Sequence, residues 1–302
     1  MLTACRQNPA TDISGEPKLK TLETCYLKLQ NHNTPMTTTI LITIAVALAL
    51  GILLFIVYRQ WTEHRVMKAR EQQRLELTQN ISHELKTPVA SILGALETIL
   101  LHPDMKPAEQ HEFLERAYQQ AGRLSNLVED IAMLNKLELK EQLYDRLEVE
   151  LSSVVKNVVD DVASRVKELN ATISYDVPAH IIISGNYTLL YSIFRNIVDN
   201  SLTHVGKGVH INIKCTSQAP SYIYFSIYDD GPGVPSETLP HLFERFYRVD
   251  KGRSRKLGGT GLGLSIVKHA VQFHGGTITA LNRPNGGLEF QFSLARHIGE
   301  KL

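Results

Sequence analysis

Residues 77–92 read Leu77-Thr78-Gln79-Asn80-Ile81-Ser82-His83-Glu84-Leu85-Lys86-Thr87-Pro88-Val89-Ala90-Ser91-Ile92, with apolar members at Leu77, Ile81, Leu85, Pro88 and Ile92. Steps of three or four are the spacing of a helix that buries one stripe. His83 lies two positions from both Ile81 and Leu85, about 200° around the helix, so it faces solvent. Thr87 stands one turn later on the same side, with Glu84 as the adjacent neighbour. An exposed imidazole beside a carboxylate suits a nucleophile whose proton a base accepts. Taken alone, such a His-Glu pair is more often plain helix surface.

The stripe continues through Ala95 and Ile99, and the pattern predicts one helix from Arg59 to about Leu101. His102, Pro103, Asp104 and Pro107 break it in a short turn. A second helix follows from about Ala108 to Leu137, with a stripe at Phe113, Ala117, Ala121, Leu124, Val128, Ile131 and Leu134. Two long helices joined by a short turn form a hairpin that exposes too much apolar surface on its own. Two copies bury that surface as a four-helix bundle, so a homodimer is expected.

Toward the N-terminus, Ile40 to Val57 carries no charge and Thr43 as its one polar side chain. At about 1.5 Å per residue, this run and its flanks cover a ~30 Å hydrocarbon layer. A buried core helix rarely lacks a polar face, which favours a single transmembrane helix over residues 37–58. Downstream lie Arg59, Arg65, Lys68, Arg70 and Arg74, whereas upstream there is Lys28 within about fifteen residues, so the C-terminal side is expected in the cytoplasm. Residues 1–36 form a short polar extracytoplasmic segment. Met36, directly before the apolar run, is a candidate start of translation. The connector 59–74 then leads into a helical domain at 75–140.

From about Arg146 the pattern becomes mixed, predicting one α/β domain over 146–298. Three constellations stand out in it. Asn196 and Asn200 are four apart on a helix predicted at about Tyr187–Leu202, so their side-chain oxygens share a face that can hold Mg²⁺ against phosphate. Asp229-Asp230-Gly231-Pro232-Gly233 follows a strand at Tyr222–Tyr228; its glycines let the backbone approach a ligand, and a carboxylate there can accept from an adenine amino group. Gly258-Gly259-Thr260-Gly261-Leu262-Gly263 leads into a helix, and N–H groups of such a loop favour phosphate oxygens. It fits neither a dinucleotide fingerprint nor a Walker A loop. A net charge of +1 gives no support to a nucleic-acid partner.

Each constellation is weak alone, but their order resembles that of the sensor histidine kinases of two-component signalling, over about Arg74 to Leu294. Ser82–Pro88 is similar to the phosphoacceptor box, Asn196-Ile197-Val198-Asp199-Asn200 to the asparagine box, and Asp229–Gly233 and Gly259–Gly263 to the two glycine boxes. Leu242-Phe243-Glu244-Arg245-Phe246-Tyr247-Arg248 resembles the aromatic box beside the nucleotide lid. The resemblance implies HisKA-type dimerisation helices and a Bergerat-type α/β sandwich that binds ATP with Mg²⁺. By it, His83 accepts the phosphoryl group, Glu84 is the general base, and Thr87 orients water for dephosphorylating a response regulator. Asp229, Asn196, Gly231, Gly233, Arg248, Lys251, Gly259, Thr260, Gly261, Leu262 and Gly263 would contact nucleotide, and Asn200 with Asn196 the metal. Thr203 departs from the pattern: many relatives carry Lys or Arg there, so either Lys207 or lid residues supply that charge or the site makes do with less. The chain is expected in the inner or plasma membrane, with a response regulator as partner and a membrane protein as a candidate source of its signal. The rival readings are a membrane scaffold that merely binds nucleotide and a gyrase-like or chaperone-like ATPase, neither of which needs His83.

Overall fold

The computed structural model describes residues 19–139, 144–250 and 259–297, in two compact units that meet between Leu75 and Glu76. Helix α1 is Leu19–Leu101, so helix begins well before the apolar run, in a stretch whose sequence shows no clear periodicity. In the first unit, Met36–Arg65 is long and apolar enough to cross a membrane by length and composition. Its aliphatic side chains are exposed throughout. Thr43, the polar exception, donates from Oγ1 to the Ile40 carbonyl at 2.8 Å, which satisfies its hydroxyl within the helix.

The second unit begins with the rest of α1, the turn after His102, and helix α2, Pro107–Leu139. Pro88, Ala95 and Ala117 are buried, as the stripes predict. The stripe on α2 differs from expectation: Ala121 and Val128 are exposed and Leu127 is buried. The reason is that α2 has two apolar faces. Leu127 and Leu134 pack with Leu262 and Ile266 of the α/β domain, a contact invisible to a periodicity argument made on α2 alone. Leu93, Leu96, Leu100, Leu114 and Tyr118 remain exposed.

The α/β part contains β1 (Leu147–Glu150), α3 (Leu151–Glu168), β2 (Thr172–Asp176), β3 (Ile182–Gly185), α4 (Tyr187–His204), β4 (His210–Gln218), β5 (Tyr222–Tyr228), α5 (Gly263–Phe273), β6 (Ile278–Asn282) and β7 (Leu288–Ala295). β1 and β3 form an antiparallel pair, and the main sheet has the order β2-β4-β5-β7-β6, parallel between β2 and β4 alone. Alternate residues Ile223, Phe225 and Ile227 on β5, with Phe290, Phe292 and Leu294 on β7, point to one face and are buried. The helices α3 and α4 cover that face with Val154, Val158, Leu190, Ile193 and Phe194. Phe194 stands edge-on to Phe225 and Phe292, with centroids 5.3 and 5.7 Å away, so α4 is seated firmly on the sheet. The result is the two-layer α/β sandwich that the sequence predicts.

Candidate functional site

Helix α4 is fixed at its start before it reaches the site. Asn186 caps it, accepting from the Leu189 amide at 3.2 Å, while its own amide donates to His274 Nε2 at 3.1 Å. Ten residues on, Asn196 donates from Nδ2 to Ser192 O and Oγ, both at 2.9 Å. That commits the amide nitrogen and turns Oδ1 toward Gly263, where a Cβ would stand 2.6 Å from it. Asn196 and Asn200 line a cavity of about 340 Å³ together with Thr203, Asp229, Gly233, Tyr247, Gly259, Thr260, Gly261 and Gly263.

Asp229, at the end of β5, is 2% exposed. Its carboxylate accepts from Ser201 Oγ at 2.7 Å, from Gly231 N at 3.0 Å and from Leu288 N at 3.1 Å. Three donors hold a buried acceptor in one orientation. A side chain at Gly231 would collide with Val205, so glycine is what lets this turn lie against α4. Gly231 itself lies behind the cavity wall.

The glycine-rich loop closes the other end. Gly261 has φ +73°, and a Cβ there would be 3.0 Å from the Phe246 backbone. Phe246 is also left-handed, at φ +60°, and donates its amide to Gly261 O at 2.8 Å. Gly263 begins α5, so backbone N–H groups of a helix start border the cavity. The Leu262 side chain is fully buried among Leu127, Leu134 and Ile266, where it packs against α2, and its amide donates to Thr260 Oγ1 at 3.2 Å.

The cavity rim meets the helical hairpin. Arg248 Nη2 is 3.2 Å from Glu84 Oε2 and also donates to the Gly259 carbonyl. Arg123 on α2 lies 3.7 Å from the same Glu84 oxygen and 3.4 Å from Gly259 O. Thr260 Oγ1 donates to Asp130 at 2.9 Å. Burial pushes the Asp130 carboxyl up to about 6, against the lowering effect of the Thr260 bond. His83 is exposed and is not among the cavity residues; Thr87 Oγ1 donates to the His83 carbonyl at 3.2 Å. Thus Glu84 reaches the rim, whereas His83 and Thr87 stand outside it. Lys251, with the lid cations at 253, 255 and 256, lies outside the described residues.

Arg123, Asp130 and Arg165 were missed by sequence reasoning. Arg123 and Asp130 are seven apart on α2, two turns along the face that also carries Leu127 and Leu134, and that spacing was the available signal. Arg165 on α3 donates to Thr203 Oγ1 at 2.7 Å and pairs with Asp199 at 3.0 Å, a meeting no spacing on one helix reveals.

Two family models match the chain. One, described as the His Kinase A (phospho-acceptor) domain, covers residues 73–140; the other, described as histidine kinase-, DNA gyrase B-, and HSP90-like ATPase, covers residues 185–298. Sensor-like histidine kinase SenX3 of Mycolicibacterium smegmatis is 32% identical over 236 residues, 78% of this chain and 60% of that protein. Phosphate regulon sensor protein PhoR of Pseudomonas aeruginosa is 34% identical over 220 residues, 73% of this chain and 49% of that protein. The chain therefore spans about half to three fifths of the length of these relatives. Among solved structures, histidine kinase ThkA in complex with the response regulator protein TrrA is similar in fold, with a TM-score of 0.58 at 21% identity over 73% of this chain and 61% of that one.

Proposed function

We propose, from the premise that this chain belongs to the sensor histidine kinase family, that it phosphorylates its own His83 from ATP and passes the phosphoryl group to an aspartate of a response regulator. The observation that carries this is one cavity with buried Asp229 at one end and the Asn196 oxygen beside a helix N-terminus at the other. Asp229 accepts from the adenine amino group. The loop amides and the start of α5 receive the phosphates. Asn196 and Asn200 fit Mg²⁺ as two neutral oxygen donors, a set that leaves room for waters and phosphate oxygens. Two amide oxygens are too few ligands to hold Mg²⁺ on their own, so the ion belongs with the nucleotide. When bound, Mg²⁺ supplies charge neutralisation on the triphosphate.

In the transfer, a His83 ring nitrogen attacks the γ-phosphorus in line, the bond to the β-bridging oxygen breaks, and ADP leaves. Glu84 takes the imidazole proton. In the conformation described, Arg248 and Arg123 occupy Glu84, so the step requires Arg248 to move off that carboxylate. Such a docked state also suits the reverse duty, with Thr87 orienting water toward a phosphorylated regulator. The exposed hairpin residues favour a homodimer, and Met36–Arg65 a single-pass anchor with the kinase in the cytoplasm, as its basic downstream flank argues.

The test is incubation of the full chain in lipid nanodiscs with γ-labelled ATP. Acid-labile label is expected on the wild type and none on His83→Gln, with Asp229→Asn losing it through nucleotide binding. Label that persists at the wild-type level in His83→Gln would sink the assignment.

A further inference from the structure

Among the described residues that line the cavity, Arg248 is the one Arg or Lys, and its guanidinium is bonded to Glu84 and Gly259. Asp199, Asp229 and Asp250 line the same cavity. A triphosphate carries several negative charges and binds poorly to such a wall without a nearby cation. Among the described residues, a further cation stands one layer back. Arg165 donates from Nη2 to Thr203 Oγ1 at 2.7 Å and sets Nη1 3.0 Å from Asp199 Oδ1. Arg195 approaches the other oxygen of Asp199 at 2.6 Å and bonds Tyr191, whose hydroxyl donates to Asp161. Asp199 is thus shared by two guanidiniums, of which Arg165 is the one that also bonds Thr203.

We infer that Arg165 is a nucleotide-phosphate residue of this chain, acting from α3 through and beside Thr203, where a cation from α4 itself is missing. The inference rests on the ATP reading above. Its chemistry is simple. Because Thr203 Oγ1 accepts from Arg165, its own hydrogen is left to donate toward the cavity, and the guanidinium behind it strengthens that donation. Arg165 is also 40% exposed at its side chain, so it can move onto a phosphate oxygen next to Thr203 by exchanging a single hydrogen bond. The Asp199 pair keeps it at the rim, instead of free in solvent.

A purely structural role, stapling α3 to α4, makes a different prediction, and ligands that differ in phosphate content separate the two. Binding of ATP, ADP and adenosine is measured with Mg²⁺ on the full chain in nanodiscs. Arg165→Gln, which keeps a donor to Thr203 but removes the charge, is expected to weaken ATP about tenfold and leave adenosine within about twofold. Thr203→Lys placed in Arg165→Ala is expected to restore ATP binding to within about threefold of wild type, since it puts the charge on α4. Unchanged ATP affinity in Arg165→Gln overturns the inference. So does an equal loss of ATP and adenosine, or no recovery with Thr203→Lys in a chain whose thermal unfolding is unaltered. A wild-type chain that binds none of the three overturns the nucleotide reading itself, and the inference with it.

Discussion

Both nitrogens of His274 are used: Nδ1–H donates to the Ala270 carbonyl at 2.7 Å and Nε2 accepts from the Asn186 amide at 3.1 Å. The ring is neutral in that arrangement, and burial, with Arg146 nearby, holds it down at about 4 instead of 6.5. Its folded value is depressed, so its stabilising effect is complete above pH 6.5, where the unfolded chain is also neutral. The effect is lost as pH falls toward 4, by at most about 1.4 kcal/mol per pH unit. The unfolding midpoint of the full chain is therefore expected to drop between pH 7 and pH 5, and His274→Gln to flatten that drop; equal slopes in the two proteins would refute the assignment. This histidine was not legible in the sequence, where it reads as the tail of a helix. Asp229 and Asn196 were legible as cavity residues, because a carboxylate before glycines and a pair of amides four apart are local patterns. What no local pattern announces is which polar atoms end up buried against distant elements, as His274 is under Asn186.

At the scale of elements, α4 and β5 fall where periodicity puts them, since a helix on the sheet buries one stripe and a strand one face. The start of α1 at Leu19 does not, and neither does the buried stripe of α2. A helix with apolar residues on two faces gives a blurred stripe, and the sequence reading picked Val128 where the structure buries Leu127. That second face holds the α/β domain, through Leu127, Leu134 and the Asp130–Thr260 bond. Burial holds the Asp130 carboxyl up at about 6 instead of the ordinary 3.8, and to the extent that the α/β domain supplies that burial, docking favours the protonated form. Docking is then strongest below pH 3.8 and weakens as pH rises through about 6; Glu129 adds to the rise and Thr260 opposes it. Amide exchange at 260–266 of the full chain, corrected for intrinsic rates, is expected to be slower at pH 5.5 than at pH 7.5. Asp130→Asn should remove that difference, and Leu127→Ala should speed exchange at both pH values by opening a cavity worth roughly 2–5 kcal/mol when fully buried. A pH difference that survives in Asp130→Asn would assign it to another group.

For the whole molecule, the proposed homodimer is expected to cover the exposed leucines of the hairpin. Leu93, Leu96, Leu100 and Leu114 present more apolar surface than a single hairpin covers. Leu93→Asp with Leu96→Asp is expected to convert a dimer to a monomer in light scattering of the full chain in detergent, while the α/β domain keeps its fold. A dimer of unchanged mass would move the interface elsewhere. Phe246 bears on how that molecule holds together. A bulky residue held at φ +60° stores about 1–3 kcal/mol, and burying a phenylalanine side chain recovers about 1.5–3 kcal/mol at most. Its ring lies partly buried against the cluster of Leu127 and Leu262. Strain and burial thus oppose one another in this one residue, so the contact with Leu127 of α2 is also what holds the Phe246 backbone in its left-handed turn.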